Sequence, residues 1–102
     1  MNIECNIHQL QFLTGCTISV SGYTTEQRIL LKGMIELCGG IYNEDMEFHS
    51  VTYLLSNNSY SEKTKHAMRW GIPVLSQQWL FDCINEQRFL SINNYLMYYK
   101  KY

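Results

Sequence analysis

The sequence predicts an α/β fold, a small three-layer sandwich in which a four-stranded parallel sheet is flanked by three helices. Three observations lead there. Short apolar, β-branched segments alternate with amphipathic stretches in the order β-α-β-β-α-β-α. The connections between them are short. The chain of 102 residues is long enough for one core and short for two. Strands interleaved with helices predict a mostly parallel sheet covered on both faces.

The elements follow in order. "CTISV", Cys16 to Val20, alternates and ends at Ser21-Gly22, which reads as a strand. "TTEQRILLKGMIELCGG" has Thr24 and Gln27 at capping-box spacing, apolar residues at Leu30, Leu31, Met34, Ile35, Leu37 and Cys38, and a closing Gly39-Gly40, so both ends of a helix are marked. Ile41 to Asn43 reads as a short strand before the polar loop "EDMEFHS", and Val51 to Ser56 as the next strand. The "NNSYS" cluster supplies a loop and an N-cap candidate for a second helix, "SEKTKHAMRW", which stops at Gly71. In "IPVL", Pro73 cannot donate to a ladder, which puts this strand at a sheet edge or puts Pro73 at its entry. "SQQWLFDCINEQ" opens with Ser76 as N-cap and stacks Trp79, Leu80, Cys83 and Ile84 on one helical face.

These elements give a domain over residues 10–90, a connecting segment over 1–9 and a Tyr-rich extension over 91–102. The extension holds Tyr95, Tyr98, Tyr99 and Tyr102 of the eight tyrosines, and an aromatic tail of this kind is expected to pack on something. The ends read as connecting segments of a domain drawn from a longer protein.

Composition narrows the chemistry. A 46% hydrophobic content with two Trp argues for a packed globule, and a net charge of −1 offers no global attraction to nucleic acid or an acidic membrane. Any anion recognition must be local. The four cysteines, Cys5, Cys16, Cys38 and Cys83, form no C-x-x-C pair, and His8, His49 and His66 are scattered and read as surface residues, so no metal and no cofactor is expected. Cys16, Cys38 and Cys83 lie inside apolar patterns, as buried thiols in a reducing compartment do. No basic start followed by an apolar run suggests a signal peptide, and no stretch approaches the roughly 18 apolar residues of a membrane span. An acidic pair after the first strand, as a phosphoacceptor fold would need, is absent from the sequence, and flavin binding would rest on fold analogy alone.

Ser21-Gly22 is the informative pair. A strand that ends in a hydroxyl and a glycine just before a helix can offer an anion a close backbone N–H, a side-chain donor and the positive end of a helix. A tight strand-to-helix turn is the plain alternative.

"FLTGCTISVSGY", Gly39-Gly40, "VTYLLS" and "KTKHAMRWGIPVLSQQWLFDC", in this order and spacing, resemble the BRCT family of breast-cancer-susceptibility C-terminal domains over about residues 10–90. The most specific element is Trp79 with Cys83 four residues on, supported by the glycine pair and by "WGIPV". At i and i+4, Trp79 and Cys83 share one helix face and read as core. Cys83 has no base near it in sequence, which argues against a catalytic thiol and against an enzyme.

In BRCT domains that bind phosphorylated peptides, a Ser or Thr followed by Gly at the end of the first strand and a Lys at the start of the second helix grip the phosphate. The resemblance assigns those roles to Ser21, Gly22 and Lys63. Arg28 stands seven positions after Ser21, where repeats of replication and checkpoint scaffolds carry a basic residue. A phosphate with close to two negative charges and three acceptor oxygens suits such a convergence of hydroxyl, N–H and cations. What the resemblance implies is a nuclear, non-catalytic module that reads phosphoserine or phosphothreonine in a partner protein of DNA replication or damage checkpoint signalling. Two alternatives stay open. The pocket could take a phosphate of DNA, with Lys65, His66 and Arg69 adding to Lys63, or the unit could pack on a neighbouring BRCT repeat through its last helix and its tail.

Overall fold

The computed structural model describes residues 11–46, 50–58 and 60–97. Cys5, His8, His49, Tyr98, Tyr99 and Tyr102 lie outside them. The elements run β1 (Thr17–Ser21), α1 (Thr25–Leu37), β2 (Ile41–Tyr42), β3 (Tyr53–Ser56), α2 (Glu62–Trp70), β4 (Val74–Leu75) and α3 (Gln78–Glu86), followed by a 3-10 turn over Ile92–Tyr95. The four strands form one sheet in the order β2-β1-β3-β4, every pair parallel. This is the α/β fold the sequence predicts.

Successive residues of a strand point to opposite faces, and the core divides accordingly. Ile18, Val20, Leu55 and Leu75 belong to the cluster that holds Leu31, Ile35 and Cys38 from α1 and Trp79, Leu80 and Cys83 from α3. Leu54 and Val74 pack instead with Ala67 of α2 and with Ile72. Two helices therefore cover one face and one helix the other.

Local signals set most of the boundaries. Thr24 caps α1 in a reciprocal box: its Oγ1 accepts from the Gln27 N–H at 3.1 Å while Gln27 Oε1 accepts from the Thr24 N–H at 2.9 Å. Where the boundaries differ from the predicted ones, hydrogen bonds explain the shift. Before β3, Thr52 binds Thr17 with its own N–H at 2.7 Å and accepts from the Thr17 N–H through its side chain at 3.0 Å, so a hydroxyl replaces a ladder carbonyl. Ahead of β4, the Ile72 N–H returns to the Ala67 carbonyl and Pro73 contributes only its carbonyl, to the Leu54 N–H, which leaves a two-residue strand at the sheet edge. Ser76 is not the N-cap of α3. The regular helix begins at Gln78, so that position belongs to Gln77, whose side chain makes no cap bond, and the Ser76 hydroxyl accepts from the Gln78 N–H at 3.2 Å from one residue further back.

Trp79 and Cys83 are fully buried. The indole N–H donates to the Leu90 carbonyl at 2.9 Å, Cys83 Sγ accepts from the Leu90 N–H, and Tyr53 and Phe89 meet the indole edge-on. Burial raises the Cys38 thiol to about 11 and also raises that of Cys83, which suits inert core residues. After α1, Gly39 has φ +88°, and a Cβ there would stand 2.7 Å from the Gln11 side chain, while one on Gly40 would press on Ile35 and Leu13. The pair lets residues 11–14 lie against the end of α1.

The described part of the tyrosine-rich segment packs on the domain. The Ser76 N–H donates to the Tyr95 carbonyl and the Met97 N–H to the Val74 carbonyl, each at 2.9 Å, and Leu96 bridges Leu75 antiparallel. The Tyr95 hydroxyl donates to Asp82 Oδ2 at 2.7 Å. That bond lowers the Asp82 pKa, with Gln78 assisting, and raises the Tyr95 phenol to about 12.

Candidate functional site

The C-terminal end of β1 and the N-terminus of α2 meet where Ser21 and Ser61 touch. Ser21 is nearly buried, and its hydroxyl donates to Ser61 Oγ at 2.7 Å. Ser61 is the N-cap of α2: it accepts from the Thr64 N–H at 3.1 Å and donates to Thr64 Oγ1 at 2.8 Å. Thr64 Oγ1 in turn donates to the Asn58 carbonyl at 2.9 Å and lies 3.0 Å from Ser56 Oγ. Four hydroxyls, from β1, the cap, the first turn of α2 and the end of β3, thus form one connected line.

Gly22 follows with φ +88°, a conformation L side chains rarely adopt. A Cβ at this position would also collide with the Asn57 side chain. The backbone conformation therefore requires glycine here, whereas the exposed Asn57 side chain could turn away from a Cβ.

Lys63 projects from the first turn of α2. Its ammonium donates to the Val20 carbonyl at 3.1 Å, one residue before Ser21, and to the Glu44 carbonyl at 2.7 Å. An ammonium has three N–H groups, so one remains for a ligand. Burial pushes its pKa below the usual lysine value, Glu44 and Asp45 pull it back up, and Arg28 lowers it again.

Arg28 lies in the first turn of α1, and its guanidinium pairs with Glu44 Oε2 at 2.9 Å and reaches Thr25 Oγ1 at 3.3 Å. The second oxygen of Glu44 accepts from the Tyr42 hydroxyl at 2.8 Å. Burial, then that hydrogen bond, raises the Tyr42 phenol to about 12. Arg28, Lys32, Tyr42 and Glu44 line a cleft of about 440 Å³ beside α1.

The structure accordingly gathers Ser21, Gly22 and Lys63 at one corner and links Arg28 to it through Glu44, which gives its carboxylate to Arg28 and its carbonyl to Lys63. Sequence reasoning missed Glu44, and it read the Ser61 region as a loop and cap without its bond to Ser21. Among the described residues no group of His, Cys, Asp and Glu could hold a metal ion, and no helix is long and apolar enough to cross a membrane.

Ser61→Ala removes both the cap and the acceptor of the Ser21 hydroxyl. A loss of about 0.5–2 kcal/mol in denaturant unfolding is expected, with Ser61→Thr recovering most of it. Unchanged stability would mean that the line of hydroxyls does not hold β1 to α2.

Comparison with known proteins agrees with this architecture. The twin BRCT domain profile matches residues 16–79. BRCT-containing protein 1 of Schizosaccharomyces pombe (strain 972 / ATCC 24843) is 33% identical over 70 residues, which are 69% of this chain and 8% of that protein. Among solved structures, the solution structure of the BRCT domain from human DNA repair protein REV1 has a TM-score of 0.73 at 27% identity, covering 87% of this chain and 90% of that one. Rad4 BRCT1,2 in complex with a Crb2 phosphopeptide has a TM-score of 0.80 at 23% identity, covering 86% of this chain and 48% of the other. With the profile spanning all four strands and reaching Trp79 in the last helix, the chain belongs to the BRCT family.

Proposed function

We propose that this domain is a non-catalytic module that reads phosphoserine or phosphothreonine in a partner protein. The observation that carries the reading is the Lys63 ammonium, fixed on the Val20 carbonyl beside Ser21 with one N–H to spare. Around it stand the Ser21 hydroxyl, the Gly22 backbone and, through Glu44, the Arg28 guanidinium. Supporting this, the same fold carries a phosphopeptide in Rad4 BRCT1,2. The chain spans 8% and 7% of two of the curated relatives it matches, one of them a DNA repair protein, so a nuclear role in DNA replication or damage checkpoint signalling is part of the proposal.

The test is a titration of paired phosphorylated and unphosphorylated peptides from a candidate partner against the wild type and Ser21→Ala. Binding should require the phosphate, and Ser21→Ala should weaken it modestly: the Ser21 hydroxyl must turn from Ser61 to meet the phosphate, so the bond gained replaces one already made, and the cations stay. Equal affinity for both peptides would reduce Ser21-Gly22 to a turn. Binding to unmodified duplex DNA that falls steeply with salt would favour the DNA alternative instead, which a net charge of −1 does not encourage.

A second reading has its own observation. Leu30, Leu31, Met34 and Phe81 line a groove of about 280 Å³ where α1 faces α3, and Leu30 is 67% exposed. The groove and the cleft at Arg28 share no lining residue of α1, so docking of a neighbouring BRCT repeat here is compatible with phosphate recognition beside Arg28.

A further inference from the structure

Glu44 is an acidic residue at the centre of a corner read as anion-binding, and this calls for an explanation. Its side chain is held at both oxygens, by Arg28 at 2.9 Å and by Tyr42 at 2.8 Å, while its carbonyl is held independently by Lys63 at 2.7 Å. The carboxylate therefore offsets the charge of the guanidinium that an external anion would seek and occupies one of its five N–H groups, with Thr25 on a second. Both groups remain accessible, with side-chain exposures of 39% for Arg28 and 56% for Glu44, so the pair can open without unfolding.

We propose that Glu44 sets the anion selectivity of this site by acting as a built-in competitor for Arg28. The inference rests on the phosphate-reading role above. An incoming carboxylate offers Arg28 what Glu44 already gives, and it gives up its own translational freedom to do so. Exchange therefore gains it nothing. A phosphate brings close to two charges and three acceptor oxygens, so it can take Arg28 from Glu44 while also meeting the Gly22 N–H, the spare N–H of Lys63 and the Ser21 hydroxyl once this turns from Ser61. Acidic side chains are thereby refused and phosphorylated ones accepted. Because Lys63 holds the Glu44 carbonyl, the chain stays in place when the carboxylate leaves.

The experiment uses inorganic phosphate and acetate as probes, titrated at constant ionic strength while the backbone amides and the Arg28 guanidinium are followed by NMR. In the wild type, phosphate should shift Gly22 and its neighbours and acetate should not. In Glu44→Gln, phosphate should bind about two- to fivefold more tightly, the scale of one released surface ion pair, and acetate should begin to shift the same signals. Adding Arg28→Gln should abolish the gain, since the two residues act as one unit. If phosphate moves the Gly22 signals equally in wild type and Glu44→Gln, with acetate inert in both, Glu44 is no competitor although the phosphate site stands. A gain that survives Arg28→Gln also overturns the proposal. If phosphate moves none of these signals in either protein, the phosphate-reading role fails and this inference fails with it.

Discussion

Replacing Trp79 by alanine is expected to cost about 3–5 kcal/mol, a large share of the ~5–15 kcal/mol that holds a typical domain together. Trp79 is the largest fully buried side chain, wedged between the sheet and α3 with Tyr53 and Phe89 against its edges. Its removal opens a cavity and strips the Leu90 carbonyl of its donor, so the segment after α3 loses an anchor as well. In a domain of this size each kcal/mol moves the melting temperature by about 4–8 °C, and a fall of well over ten degrees should be seen by calorimetry. Trp79→Phe should fall between, keeping part of the volume and losing the N–H. A shift of a degree or two for the alanine variant would show that the indole does not support the core.

The largest effect on binding is expected at Lys63. Lys63→Met removes a charge-assisted contact, worth about 1.5–3 kcal/mol, and should weaken a phosphorylated peptide by roughly one to two orders of magnitude. Lys63→Glu should be worse, since a repulsive charge takes the place of an attractive one. Both variants also lose the bonds from Nζ to the Val20 and Glu44 carbonyls, so each should melt somewhat below the wild type. Isothermal titration well below the melting temperature separates the two losses, because the binding defect must persist where the variants are fully folded. Equal affinities for the wild type, Lys63→Met and Lys63→Glu would remove Lys63 from the site.

What could be read from the sequence was what is local in the chain. The box at Thr24 and Gln27 spans three residues and could be read directly, as could the glycine stop after α1 and the i, i+4 pairing of Trp79 with Cys83. Ser76 misled by one position because a hydroxyl just before a helix can bind its first turn without being the cap. At the candidate site, Ser21-Gly22 stands out as a hydroxyl and a glycine that end a strand before a helix, while Arg28 and Lys63 are assigned by a resemblance whose motifs are short. The partners that hold them were not visible: Ser61 meets Ser21 across 40 residues, and Glu44 meets Lys63 across 19 and Arg28 across 16. Nothing in the polar loop after β2 marks Glu44 as the residue that turns towards α1. Only the parallel pairing of β1 with β2 and β3 brings these distant segments to one corner.

The antiparallel bridge at Leu96 affects how such a sheet behaves beside other chains. A bare strand edge is a template on which another chain can add its own backbone, the usual route to zippering and aggregation. Here the β4 edge is already taken up by Tyr95, Leu96 and Met97, and the opposite edge, β2, is two residues long. Among the described residues, neither border offers a long run of free amides and carbonyls. The borders of this sheet are therefore poor templates for a borrowed strand, which leaves side chains and helix ends as the surfaces offered to a partner.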